Sequence, residues 1–232
     1  MQLKVPSWNI WIDGHFDSIK DFLRDADADI IGLQEVKDDD PERDVIGYLT
    51  ELGYQHVFTP VAKKWKDKVY RDGCAVFSKH EIVSSMVHKL SEKDSRYAQQ
   101  ADVKINGSIL HVFSTHLIHT HQKPSEVQEL QAETLVGILP TERTIVMGDF
   151  NATPDSATIQ KMKRDMFYDT DSASMPTWSV YPEGCHICNP QAIDIKLDYI
   201  FASKDLKTAS FKVEESKGSD HLPIAVLVER GL

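Results

Sequence analysis

A chain of 232 residues with 41% apolar and 27% charged side chains has the composition of an ordinary folded protein, which excludes a disordered or fibrous one. Its formal charge of −10 argues against a protein that grips long duplexes, because many phosphate contacts need Lys and Arg to spare. Three cysteines do not make a disulfide framework, and no apolar run approaches the ~18 residues of a membrane span.

In chain order, the start passes directly into a strand with no room for a charged region, apolar stretch and cleavage site, so a soluble, cytoplasmic protein is expected. Residues 5–11 read as a strand ending at Asn9. Ile19, Phe22 and Leu23 fall on one face of a helix, and residues 30–33 form a strand that delivers Glu35 at its end. A second helix carries Val45, Ile46, Tyr48 and Leu49, and strands follow at about 54–60, 72–78 and 82–89. Residues 97–105 and 108–115 flank Asn106-Gly107, a strong hairpin signal, and their pairing aims His116 outward. A long helix begins at Ser125 with Gln128 three residues on, as in a capping box; Val127, Leu130, Leu135 and Ile138 make its apolar stripe. Residues 144–147 are a buried strand ending in Gly148-Asp149. Residues 167–193 look like loop, and strands are expected at 197–201, 208–214 and 223–229. No internal repeat of residue identity is visible.

Four strings place metal-capable or proton-handling side chains at the ends of apolar runs: Trp8-Asn9-Ile10, Leu33-Gln34-Glu35-Val36, Gly148-Asp149-Phe150-Asn151 and Ser219-Asp220-His221-Leu222-Pro223. Between them lie Ser114-Thr115-His116-Leu117 and Leu197-Asp198-Tyr199-Ile200-Phe201. Singly each proves little. Present together and in this order, they resemble the endonuclease/exonuclease/phosphatase family of divalent-metal phosphoesterases, also called deoxyribonuclease I-like. Because the motifs run from residue 9 to residue 221 and must converge on one site, residues 1–232 are expected to form one domain.

The resemblance implies an α/β fold, a four-layer α/β/β/α sandwich of two mixed β-sheets flanked by helices, with the site at one end of the sheets. It implies a Mg²⁺-dependent hydrolase of phosphoester bonds, with Mn²⁺ as a substitute ion, in which Glu35 is the principal metal ligand and Asn9 and Asp220 complete the metal side. Mg²⁺ suits such a set because it binds oxygen and enters through one or two carboxylates plus substrate phosphate. Asp149 would handle the attacking water, and Asn151 and His116 would contact the phosphate. His221 would carry positive charge, steadied by Asp198, because a carboxylate beside an imidazole fixes its tautomer and favours its protonated form. Asp72 is the expected partner of His116. Arg96 would lie near substrate phosphate or, as the simpler alternative, in a surface ion pair. Trp178 would stack at the site rim or cap the core beneath its loop.

Other features have blander readings. Cys74 reads as a small buried hydrophobe. Cys185 and Cys188, a lone Cys-x-x-Cys, read as loop residues, since a structural zinc site usually needs four ligands and no second pair is nearby in sequence. A zinc site from His119 and His121 is a minor alternative, and His111 and His186 carry no motif. The Lys63-Lys64-Trp65-Lys66-Asp67-Lys68 segment reads as a solvated loop with one half-buried Trp. Asp155, after Pro154, reads as a helix cap. The segment before Gly73 looks too short for a DNA-inserting or membrane-binding hairpin, and the inositol-phosphatase hallmark around a central Asp-Asn string is absent. The expected reaction is therefore metal-assisted, in-line attack of water on a phosphodiester of a small molecule or single-stranded nucleic acid, without membrane insertion or an inferable protein partner. The alternatives are a phosphomonoesterase acting on a sugar, lipid or inositol phosphate, and a catalytically silent binding domain.

Overall fold

Each of the two β-sheets is built around one parallel pair of strands, and the end of each pair is where the motif residues fall. The computed structural model describes residues 2–65, 68–163, 167–182 and 185–229, with the side chains of 63–65, 68 and 70 left aside. In the first sheet β1 (Gln2–Asn9) runs parallel to β2 (Ile30–Lys37), with α1 (Phe16–Ala26) crossing over between them. In the second, β7 (Ser108–His116) runs parallel to β8 (Thr144–Asp149) through α3 (Glu126–Ile138). A parallel pair needs such a crossover, and a helix supplies it.

The remaining elements are α2 (Val45–Glu51), β3 (Gln55–Trp65), β4 (Lys68–Ser78), β5 (Ile82–Lys89), β6 (Tyr97–Ile105), α4 (Ala157–Met162), β9 (Phe167–Asp169), β10 (Asp198–Ser203), β11 (Thr208–Val213) and β12 (Ile224–Glu229). The sheet orders are β11-β12-β1-β2-β4-β3 and β5-β6-β7-β8-β10-β9. Laid side by side they correspond strand for strand: β1 and β2 match β7 and β8, antiparallel β4 and β10 flank the second strand, and antiparallel β12 and β6 flank the first. The twofold resemblance is one of topology, and residue identity shows no trace of it.

The second strand of each parallel pair, β2 or β8, is buried on both faces, so residues 30–33 and 145–147 read as continuous apolar runs instead of alternations. Ile30, Ile145 and Met147 join Leu3, Val5, Val112, Ile200 and Val226 in a core between the sheets. Their neighbours Ile31 and Val146 point the other way. Ile31 packs with Leu33 and Phe77 under Ile19, Leu23, Val45 and Leu49 of α1 and α2. Val146 packs with Phe113, Phe150 and Phe201 under Ala132, Leu135, Ile159 and Met162 of α3 and α4. These are the four layers of an α/β/β/α sandwich. Full burial of each such side chain is worth about 1.5–3 kcal/mol, so both sheets are clamped on two sides. Among the described residues no helix is long and apolar enough to cross a membrane.

Several expectations need correction. Leu130 of α3 is 52% exposed and Val127 only half-buried. The buried face instead carries Gln128, Gln131, Ala132 and Leu135. Both glutamines are inside because they satisfy backbone groups of the loops beneath. Gln131 accepts from the Ile118 N–H (2.9 Å) and Gln128 Nε2 donates to the carbonyls of Ile118 (2.8 Å), Phe150 (3.3 Å) and Asn151 (2.9 Å). Ser125 does cap α3, but the Gln128 side chain does not reach back to complete the box. The cap of α4 is Ser156; Asp155 accepts from the Thr153 hydroxyl instead. The basic segment, expected as a solvated loop, is strand at 63–65 and 68, since β3 and β4 pair from Gln55↔Ser78 out to Trp65↔Lys68 and form a long hairpin. Lysines interrupt the alternation that would have revealed it; Lys66 and Asp67 lie outside the described residues. Cys74 is half-buried, and among the described residues of 167–193 there is one short strand, β9.

Candidate active site

Asn9, Glu35, His116 and Asp149 stand at or near the carboxyl ends of β1, β2, β7 and β8, the four parallel strands. Parallel pairing makes these ends coincide, and His116 is the direct neighbour of Asp149. Local backbone features aim each side chain. The pairing of β2 with β4 slips between Leu33 and Val36, and within that bulge Glu35 takes a left-handed conformation (φ 58°). Such a conformation in a non-glycine residue costs about 1–3 kcal/mol. It is held by the Ile12 N–H on Oε2 (2.7 Å) and Asn9 Nδ2 on Oε1 (3.2 Å). Gly148, at φ 151°, admits no side chain, because a Cβ there would stand 1.9 Å from the Thr115 carbonyl oxygen of the adjacent strand. Past it, Asn151 (φ 51°) turns its N–H onto Asp149 Oδ1 (2.8 Å) and its Nδ2 onto the Leu117 carbonyl (3.0 Å).

The antiparallel neighbours bring the second half of the site to the same end. Asp198 begins β10 directly opposite Asp149. Its Oδ2 accepts from His221 Nδ1 (2.8 Å) and from the Thr177 hydroxyl (2.6 Å), whose oxygen in turn accepts the N–H groups of Leu197 (3.1 Å) and Asp198 (3.3 Å). Asp198 Oδ1 is buried without a hydrogen-bond partner among the described residues. Asp220 and His221 lie in the loop entering β12. Ser219 ties that loop to β1 by donating to the Asn9 carbonyl (2.6 Å) while accepting the His221 N–H (3.1 Å). Trp178 donates from Nε1 to Asp220 Oδ2 (3.1 Å).

Asp149 is the hub. Its Oδ2 accepts from Asn9 Nδ2 at 3.1 Å and lies 3.4 Å from His116 Nε2 and 3.6 Å from His221 Nε2. His116 Nδ1 faces Glu35 Oε1 at 3.9 Å. Burial, together with the nearby charge of Asp198, pushes the Asp149 carboxyl above its ordinary range, although His221 pulls against it. Burial likewise raises Asp220, opposed by His221 and the Trp178 bond. For His221 burial works against the charge, but Asp198, Asp149 and Asp220 outweigh it and hold the imidazole well above its usual value. That environment favours the protonated ring, with Nδ1 on Asp198 and Nε2 facing Asp149. A carboxylate with a raised proton affinity beside a fixed imidazolium can take a proton from one group while positive charge is held on its far side.

These residues open on a cleft of about 420 Å³ lined by Asn9, Glu35, His116, Asp149, Asn151, Asp220 and His221. Arg96 and Trp178 line it too, but Trp178 is only 2% exposed and forms part of the wall, not the rim. Arg96 Nη1 also reaches the His116 carbonyl (3.4 Å). Asp72 shares with His116 and Arg96 a smaller cavity next to the cleft. Residues that sequence reasoning passed over hold the site in place. Thr177 went unremarked beside Trp178. Gln128 was taken for a cap. Arg43, in a charged run, is buried and donates to the carbonyls of Ile10, Trp11 and Ile12, fixing the loop whose Ile12 N–H binds Glu35. Nothing in its sequence neighbourhood signals this. His119 also lines the cleft and meets Asn151 Oδ1 at 2.6 Å.

A sandwich of two mixed sheets with carboxylates and imidazoles gathered at the strand ends defines a deoxyribonuclease I-like hydrolase fold. Residues 7–221 match the model of the Endonuclease/Exonuclease/phosphatase family, and the chain belongs to that family. Its members are phosphoester hydrolases, generally dependent on divalent metal ions. Similar solved structures include an endonuclease/exonuclease/phosphatase protein from Beutenbergia cavernae (20% identity, TM-score 0.80, 98% of this chain and 71% of that one). ANGEL2, a 2',3'-cyclic phosphatase, is 17% identical (TM-score 0.79, 100% of this chain and 96% of that one). The human Nocturnin catalytic domain is 25% identical (TM-score 0.67, 98% of this chain and 94% of that one). Among curated proteins, none matches this chain in sequence.

Proposed function

We propose that this chain is a Mg²⁺-dependent phosphodiesterase that hydrolyses small or single-stranded phosphodiester substrates, residues 1–232 acting as one domain. The observation that carries the reading is the position of Asp149, buried between Asn9, His116 and His221 with the Asp198 pair behind it. The residues fit a hard cation. Glu35, Asp149, Asp198 and Asp220 bring four carboxylates to one end of the sheets, three of them at most 5% exposed, and buried negative charge of that density calls for a compensating ion. Glu35, Asn9 and Asp220 would hold Mg²⁺, or Mn²⁺ in its place, which when bound would offset charge on the phosphoryl oxygens.

The chain's own groups would do the rest. Asn151 and His116 orient the phosphate, and Arg96 at the cleft edge adds positive charge to it. Asp149, with its raised proton affinity, accepts the proton of the attacking water. The His221 imidazolium stabilises the charge that builds up on the phosphoryl group or the leaving oxygen, and Asp198 keeps it protonated and oriented. The net charge of −10 and the modest cleft support a small or single-stranded ligand over a long duplex. The test compares bis-p-nitrophenyl phosphate with p-nitrophenyl phosphate under Mg²⁺, Mn²⁺ and chelator. Turnover of the diester with metal is expected. Turnover of the monoester alone would replace this reading with a phosphomonoesterase, and no turnover with any metal would leave a binding domain.

A further inference from the structure

His119 and His121, in the segment after β7, meet Cys185 and Cys188 across one wall of the cleft. The four potential ligand atoms all lie within 4.8 Å of one another. The two ring nitrogens, His119 Nε2 and His121 Nδ1, are 3.0 Å apart. Their separations from the two sulfurs are 3.3, 3.5, 3.6 and 3.8 Å. A tetrahedral zinc with bonds of about 2.05 Å to nitrogen and 2.3 Å to sulfur has N–S edges of about 3.6 Å and an N–N edge of about 3.4 Å. The four N–S separations straddle the first of these, the N–N separation is shorter than the second by about 0.4 Å, and the two sulfurs, bonded in the structure, would part to about 3.8 Å on binding the ion.

We propose that His119, His121, Cys185 and Cys188 form a structural zinc site, separate from the oxygen-rich metal side at Glu35. Four protein ligands close the coordination sphere, which is the pattern of structural sites and not catalytic ones. Two thiolates and two imidazoles select zinc over Mg²⁺. The surroundings are those of a ligand set. His119 Nδ1 meets Asn151 Oδ1 at 2.6 Å, an outer bond that leaves Nε2 with its lone pair toward the sulfurs. The Cys188 N–H points at Cys185 Sγ (3.0 Å), a bond that a thiolate there would also accept. Cys185 and Cys188 are joined by a disulfide in the structure. Reduction by a dithiol, itself oxidised to its own disulfide, gives two thiols, and their binding to Zn²⁺ releases two protons. A reducing compartment keeps such a pair in the thiol state.

So placed, the ion pins the 185–188 loop to the segment after β7. Cys185, His186 and Ile187 of that loop line the cleft together with His119 and His121. Through His119 and Asn151 the clamp reaches the end of β8, where the Asn151 N–H binds Asp149. The zinc is then a support for one wall of the site and takes no part in the chemistry.

The test uses the whole chain, reduced with a phosphine, freed of metal and titrated with Zn²⁺ in excess Mg²⁺, with metal content read by mass spectrometry. One equivalent of zinc per chain is expected. Cys188→Ser and His121→Ala should each weaken zinc binding by more than the about 10–100-fold lost with an outer-sphere partner. Co²⁺ in the wild-type chain should give tetrahedral visible bands with sulfur-to-metal charge transfer. That spectrum decides the matter even if a variant fails to fold. Reduced protein that takes up no zinc, zinc bound equally well by Cys188→Ser, or a Co²⁺ spectrum without sulfur charge transfer would each overturn the site. None of these readouts depends on hydrolytic activity.

Discussion

Replacing Asp198 by Asn tests the link between the buried pair and the proposed chemistry. The wild-type carboxylate accepts from both His221 and Thr177 on Oδ2, and its other oxygen is buried without a partner among the described residues. An asparagine can keep the two accepted bonds by placing Oδ1 where Oδ2 was. Its amide nitrogen then falls where that second oxygen was, with donors and no acceptor. Removing one charge from a buried pair costs about 3–5 kcal/mol, and a retained neutral hydrogen bond recovers about 1 kcal/mol. The net of about 2–4 kcal/mol corresponds to a fall of about 30- to 1000-fold in any rate that needs the imidazolium. His221 should titrate lower than in the wild type, since Asp198 is the leading contributor holding its proton. The sign for stability follows. A histidine whose folded value lies above its unfolded 6.5 contributes stability that is fully present below 6.5 and is lost as pH rises through the folded value. In Asp198→Asn that loss should occur at lower pH than in the wild type. NMR titration of the His221 ring, kcat against pH on a phosphodiester, and denaturant unfolding at several pH values measure the three effects. An unchanged His221 titration, with loss of stability but not of turnover, would refute the reasoning and leave Asp198 as a structural residue of the Thr177 loop.

Asp149→Asn should lower kcat by about 100-fold or more with little change in KM, the signature of an interaction made in the transition state; a change confined to KM would move the water-handling role elsewhere. Gln128→Leu removes the donor shared by the carbonyls of Ile118, Phe150 and Asn151, and should cost about 3 kcal/mol in denaturant unfolding together with a fall in kcat as Asn151 shifts. Stability within about 0.5 kcal/mol of wild type would mean that water replaces the side chain. At acid pH, Asp102 is held below its ordinary value because bonds from Ser84, Gln100 and His111 outweigh its burial, so its contribution is present above about 3.8 and is lost as pH falls through the lower folded value. Asp102→Asn should flatten that part of the acid stability curve, and an unchanged curve would remove Asp102 from the account.

The candidate site was legible where a polar or charged side chain stands at the end of an apolar strand. Asn9, Glu35, His116, Asp149, Asp198 and His221 are adjacent to runs whose burial on both faces makes them conspicuous, and the structure brings them to one end of the sandwich. The sheet orders were not legible, because the correspondence between the two sheets lies in strand pairing and leaves no residue repeat. Residues that act through backbone groups escaped for a related reason. Gln128 and Arg43 bind carbonyls far away in sequence, and a carbonyl is the same for every residue type. The Cys-x-x-Cys looked incomplete because its facing histidines stand more than 60 positions earlier, a proximity that only the fold creates. The β3–β4 hairpin was foreshortened because its outer half carries lysines where alternation was sought.

The central claim, that a cation held at Glu35 is required to hydrolyse a phosphodiester in this cleft, is met most directly by titrating Mg²⁺ into metal-free protein and following bis-p-nitrophenyl phosphate hydrolysis by wild type and Glu35→Gln. The expected result is no turnover in chelator, saturable activation in the wild type, and a loss of about 100-fold or more in Glu35→Gln, equivalent to about 3 kcal/mol, with the fold intact by circular dichroism. Turnover that persists in chelator, or a Glu35→Gln variant with the same Mg²⁺ dependence as the wild type, would contradict it.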